Sequence, residues 1–177
     1  MSRSYWISFV VPCLATLVLA QPVRPTLREL EFNIQAELEA HGERVLGQEA
    51  YRWSTRLENI SNCRAELTVQ VTSNVGGNTV RTDRVRFSLG ALEPYGIMEK
   101  NWLELPCAGR EECIFSSSST CTKKTTEGVA IDCTTVSRKR EDSFVLQLDG
   151  DAAASSRLEH GFRQAIELCH DPAAVTF

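Results

Sequence analysis

The sequence predicts an α+β domain of about seven antiparallel strands in a curved sheet or half-barrel, with one N-terminal helix and a C-terminal amphipathic helix packed on the sheet. Two observations carry this. Apolar residues recur at helical spacing near the two ends of the chain, and between them they alternate with polar residues at period two. The 177 residues, 42% hydrophobic, suffice for one domain with a core.

Ahead of the first helix, residues 1–20 open on Met-Ser-Arg, run through an apolar stretch to Leu19 and end at Val18-Leu19-Ala20. This is the layout of a secretory signal peptide. Pro12 interrupts the stretch, which is short for a span of about 20 apolar residues, so cleavage after Ala20 is expected. The mature domain, 21–172 with a frayed tail at 173–177, is then secreted or periplasmic and has no membrane span. Removing Arg3 with the signal takes the net charge from −4 to −5.

The leading helix starts where Thr26 can cap free amides and Glu29 can reach back in a capping box. Leu27, Leu30, Ile34 and Leu38 then fall on one stripe. Gly42 is expected to end the helix in the left-handed conformation.

Strands follow. Tyr51, Trp53, Thr55 and Leu57 alternate with Arg52, Ser54, Arg56 and Glu58, and Cys63 to Val71 alternates more cleanly still. Residues 74–78, with Gly76-Gly77, are expected to form a hairpin turn. The return strand carries Val85, Phe87 and Leu89 inward against Arg84, Arg86 and Ser88, and Leu92-Glu93-Pro94 breaks it. Ile97 to Leu105 is expected as one strand. Residues 106–142 are Ser/Thr-rich and charged, and are expected to form an irregular cysteine-rich excursion. Short strands at 113–115 and 129–131 would flank a mobile tip from Ser116 to Thr126. Phe144, Leu146 and Leu148 make the last strand. Asp149-Gly150-Asp151 caps the closing helix, whose stripe is Leu158, Phe162, Ala165, Ile166 and Cys169, and Pro172 stops it.

Cleavage of the signal removes Cys13 and leaves Cys63, Cys107, Cys113, Cys121, Cys133 and Cys169. An even number in an oxidising compartment reads as three disulfides. Successive spacings of 44, 6, 8, 12 and 36 lack the tight pairs of zinc sites. Cys63 with Cys169 is the expected long staple, the other four cross-linking the excursion in a pattern left open.

Several of these segments resemble a group of uncharacterised exported bacterial proteins. The matching residues are Trp53, Cys63, Leu89 with Leu92-Glu93-Pro94, and Arg157-Leu158 through Phe162 to Ala165-Ile166-Glu167-Leu168-Cys169. Tyr95 to Lys124 lies outside the match, and its cysteines are a local elaboration. Element order is also similar to a pleckstrin-homology-like barrel, by analogy of architecture. The resemblance implies a fold and carries over no catalytic residue.

For function, 19 Lys+Arg against 23 Asp+Glu, with both signs spread along the chain, argues against a nucleic-acid binder and makes polyanions poor partners. No nucleophile elbow, phosphate-binding loop or dinucleotide fingerprint occurs, and no cofactor is implied. His41, His160 and His170 have no metal-ligand spacing. A non-enzymatic binding domain is therefore expected, its partner an extracellular or envelope protein met through the excursion. Lys123, Lys124, Arg138, Lys139 and Arg140 form its candidate interaction surface, against the plainer reading that such charges protect an edge strand. The alternative is a carrier of a small hydrophobic ligand, with a cavity near Trp53, Phe87, Trp102 and Phe162. A hydrolase using Glu111, Glu112, Glu141 and Asp142 is a distant third. Asn59-Ile60-Ser61 is an N-glycosylation sequon, meaningful only in a eukaryotic secretory pathway.

Overall fold

The computed structural model describes residues 24–47, 50–73, 79–99, 101–124 and 130–171. The segment read as a signal peptide, the hairpin turn at 74–78 and the tail at 173–177 lie outside them. Helix α1 (Leu27–His41) begins as its sequence predicts: Thr26 Oγ1 accepts from the Glu29 amide at 3.3 Å, and Glu29 accepts from the Thr26 amide at 2.7 Å. Leu30, Ile34 and Leu38 are buried on its inner stripe. Gly42 ends it, but at φ −77°, so left-handed freedom is not the reason for glycine. A Cβ there would lie 2.4 Å from the Leu38 carbonyl oxygen and 2.9 Å from that of Thr55. Glycine lets the chain turn from the helix straight onto the neighbouring strand.

Nine strands follow among the described residues: β1 (Glu43–Leu46), β2 (Tyr51–Ser61), β3 (Arg64–Ser73), β4 (Thr79–Ser88), β5 (Ile97–Glu99), β6 (Trp102–Pro106), β7 (Ile114–Lys124), β8 (Ala130–Glu141) and β9 (Ser143–Gln147). All pair antiparallel, and the expected α+β class holds. They make a six-stranded sheet ordered β1-β2-β3-β4-β7-β8 and a three-stranded sheet ordered β5-β6-β9, neither closed into a barrel. A 3₁₀ turn at Leu89–Ala91 carries the chain from one sheet to the other, and Leu92 bridges to Cys107.

Helix α2 (Ala152–His170) is capped by Asp151, whose Oδ1 accepts from the amides of Ala153 and Ala154. It packs beside α1 and over the 3₁₀ turn, β5 and β6, while α1 lies on β2. The core gathers Leu30, Ile34 and Leu38 of α1 and Leu158, Phe162 and Ile166 of α2. Against them pack Leu57, Leu67, Val85 and Phe87 of the large sheet and Leu103, Leu105 and Leu146 of the small one.

Two expectations are corrected here. Ile97 to Leu105 is not one strand but the hairpin β5–β6, with Ile97 opposite Glu104. Ser116 to Thr126 is not a mobile tip as far as it is described: β7 runs regularly to Lys124, paired with β4 from Ile114 opposite Phe87 to Thr122 opposite Thr79. The physical reason is that helices cover only the Leu67–Phe87 end of the sheet. Beyond it neither face of β7 needs apolar residues, so the period-two signal vanishes while the hydrogen-bond ladder continues.

Three disulfides brace this frame. Cys63–Cys169 ties the β2–β3 turn to the last turn of α2, as expected. Cys107–Cys113 closes a short loop before β7, and Cys121–Cys133 joins directly opposed residues of β7 and β8. No helix among the described residues is long and apolar enough to cross a membrane.

Candidate binding face

Strand alternation sets the face of the large sheet opposite the core. Leu57, Leu67 and Val85 point inward, so their neighbours Arg56, Thr68 and Arg84 point outward. Register then lines up one row across five strands: Arg56 on β2, Thr68 on β3, Arg84 on β4, Ser117 on β7 and Arg138 on β8. The adjacent row is Asn59, Glu66, Arg86, Phe115 and Arg140. All five arginines are exposed.

Glu66 is the one carboxylate in these rows, and its Oε1 lies 2.9 Å from Arg86 Nη2. Arg140 lies over the Phe115 ring, its Cζ 4.8 Å from the ring centre. Arg56, Arg84 and Arg138 carry no ion pair among the described residues. A shallow groove of about 1060 Å³ runs here, lined by Arg84, Arg86, Phe115, Ser117, Arg138 and Arg140 among others. A chain with net charge −4 thus presents one face rich in arginine and hydroxyl groups. Averaging charge along the chain conceals it.

Only part of the sequence-derived surface belongs to this face. Arg138 and Arg140 do; Lys139, between them on the edge strand, also borders the groove but has the opposite strand phase. Lys123 pairs with Ile131, six positions along β7 from the Ser117–Arg138 pair, or roughly 20 Å at strand rise. Lys123 and Lys124 therefore stand apart from the arginines. The residues missed were Arg56, Arg84 and Arg86. A readable signal existed in the Arg-x-Arg spacing at 84/86 and again at 138/140, which puts two guanidinium groups on one face of a strand. That β4 and β8 lie two strands apart is set by topology.

The four aromatics of the carrier reading occupy different places in the fold. Phe87 and Phe162 are core residues at 3% and 0% exposure. Trp102 is half-buried on β6, opposite Gln147. Trp53 lines a hollow of about 330 Å³ with Val69, Val71, Arg81, Asp83, Phe144, Val145 and Gln147.

The acidic residues lie at separate places in the fold. The Asp149 carboxylate accepts from the Asp151 amide at 2.9 Å and contacts His41 Nδ1 at 2.9 Å, and both contacts hold it below the ordinary carboxylate value. Glu141 faces Ile114 at the end of β8, and Asp142 accepts from the Cys107 amide through its backbone carbonyl at 2.7 Å. Glu111 and Glu112 are exposed beside Cys113. His160 Nδ1 accepts from Arg163 Nη2 at 2.8 Å, and His170 is exposed. No cluster of three metal-ligating side chains occurs among the described residues.

Comparison with protein-family models, curated proteins and solved structures returns no match to this chain.

Proposed function

We propose that the chain is an exported, non-enzymatic binding domain whose recognition surface is the outer face of the six-stranded sheet. One observation carries this reading: Arg56, Arg84 and Arg138 stand exposed in a single cross-strand row without a carboxylate partner among the described residues. Guanidinium groups spaced by a fixed backbone and without a carboxylate partner are free to engage an anion, at the cost of ordering their side chains. The groove lining supplies serines and arginines but no histidine or carboxylate. Export rests on the signal-like residues 1–20 and on three disulfides, which persist in oxidising compartments. Secretion, or release into a periplasm, follows from the same two features.

The test is retention of the oxidised chain, residues 21–177, whose net charge is −5, on a sulfopropyl matrix at pH 7. Wild type is retained at low salt despite its net negative charge. An Arg84→Ser, Arg138→Ser variant elutes earlier than an Arg24→Ser, Arg28→Ser control that removes two exposed charges away from the sheet. Flow-through of the wild type, or coelution of the variant with the control, would overturn the reading.

A second reading rests on the hollow beside Trp53, whose volume lies at the small end for ligand pockets, about 300 to 1,000 Å³. Decanoate quenching Trp fluorescence in wild type but not in Trp53→Phe would support a carrier; no quenching in wild type would remove it.

A further inference from the structure

We infer that the arginine row binds a linear polysaccharide carrying a carboxylate on alternate sugars. This rests on the binding-face reading above and adds the class of ligand. Along the row the chemistry alternates: arginine on β2, hydroxyl on β3, arginine on β4, hydroxyl on β7, arginine on β8. Neighbouring strands lie about 4.8 Å apart, so successive arginines stand roughly 10 Å apart with a hydroxyl midway. A pyranose in an extended chain spans about the distance from one strand to the next. A polymer crossing the strands at right angles therefore offers one sugar to each strand, and the arginines meet every second one.

The chemistry of each contact fits that register. Guanidinium groups bind carboxylates through two parallel hydrogen bonds. Thr68 and Ser117 can donate to and accept from sugar hydroxyls. The adjacent row holds the border of the groove, because Arg86 is engaged by Glu66 and Arg140 by Phe115.

Other polyanions fit less well. Single-stranded nucleic acid needs aromatic platforms for its bases, and the two rows offer one aromatic, Phe115, which already carries Arg140 over its ring. A membrane surface needs an apolar wedge beside its cations; Phe115 is the one apolar residue of the two rows, and it carries Arg140 over its ring. An acidic peptide adding to the edge of β8 would run parallel to the strands. In that direction the outward cations of β8 are confined to Arg138 and Arg140 among residues whose side chains are described.

The experiment is calorimetric titration of the oxidised chain in low salt with four probes. They are an octasaccharide with glucuronate alternating with N-acetylhexosamine, an octamer of galacturonate, an oligothymidylate and phosphatidylglycerol vesicles. The alternating octasaccharide is expected to bind at least tenfold tighter than the galacturonate octamer, although it carries half the charge, and tighter than the other two. Arg84→Ser weakens it about tenfold, the loss expected for a charge-assisted hydrogen-bonded pair. Arg84→Lys restores less than half of that loss in free energy, because an ammonium lacks the bidentate fork. Arg84→Gln serves if the serine variant lacks the wild-type circular dichroism or its three disulfides. Affinity that follows total charge, or tighter binding of the oligothymidylate or vesicles, overturns the polysaccharide assignment. With sulfopropyl retention intact, only the ligand class then fails; with retention also absent, the binding face fails with it.

Discussion

Gly161 of α2 sits directly against Ile34 of α1: a Cβ at Gly161 would lie 3.0 Å from Ile34 Cγ1. Ile34 is 1% exposed and has little room to yield. This contact brings the two helices together over the core. Gly161→Val should destabilise the fold by about 2 kcal/mol through overpacking, outweighing the propensity gained by removing glycine from a helix. Thermal melts check this, and adding Ile34→Ala should recover part of the lost midpoint. Equal destabilisation in both backgrounds would show that the loss arises elsewhere.

The three disulfides should not count equally. Cys63–Cys169 spans 106 residues and fastens the end of α2 to the β2–β3 turn. In the chain-entropy model such a loop constrains the unfolded chain by about 4 to 5 kcal/mol, so Cys63→Ser, Cys169→Ser should lose most of the global stability in urea. Cys121–Cys133 spans 12 residues in the ribbon beyond the core. Its removal should leave the urea midpoint of the core close to wild type, while amide exchange accelerates from Thr120 to Thr122. Similar midpoints for the two double variants would contradict this hierarchy.

The contrast between core and ribbon also explains which parts of the fold were legible in sequence. Both helices were readable because each carries a stripe against a core and a capping side chain that the structure uses, Thr26 and Asp151. Strands β2, β3 and β4 were readable where Leu57, Leu67 and Val85 alternate with charge. The signal failed at β7, where Ser116 to Ser119 present hydroxyls to both faces, and at the turn between β5 and β6, where Trp102 continues an apparently unbroken strand. The binding face was half legible for the same reason. Arg138 and Arg140 stood out as a local charge run, whereas Arg56 and Arg84 join them only through cross-strand register, which no local pattern encodes.

Acid should loosen the start of α2 ahead of the core. Asp151 is held below its ordinary value of 3.8 by the amides of Ala154 and Ala153, and Asp149 below the same value by the Asp151 amide and then by His41. Each carboxylate therefore binds fewer protons folded than unfolded. Its contribution is present above about pH 4 and is lost as the pH falls through the depressed folded values. Amide exchange at Ala153 and Ala154 should rise over that range ahead of the core. In Asp151→Asn the pH dependence should flatten; an unchanged profile would place the acid-sensitive groups elsewhere.

Thr55 offers the opposite sign of effect. It is 3% exposed on β2, its amide donates to the Gly42 carbonyl at 2.9 Å, and its side-chain hydroxyl finds no partner among the described residues. Its strand neighbour across the pair is Val69, at the margin where the core gives way to the open sheet. Valine has nearly the same shape, keeps the backbone bond to Gly42 and removes a hydroxyl that is desolvated without compensation. Thr55→Val should therefore stabilise the fold by about 1 kcal/mol, combining the lifted desolvation cost with the strand preference of a β-branched apolar residue. Urea melts should show a higher midpoint at unchanged slope. A lower midpoint would mean that the hydroxyl is satisfied in solution, with an ordered water between α1 and β2 as its nearest source.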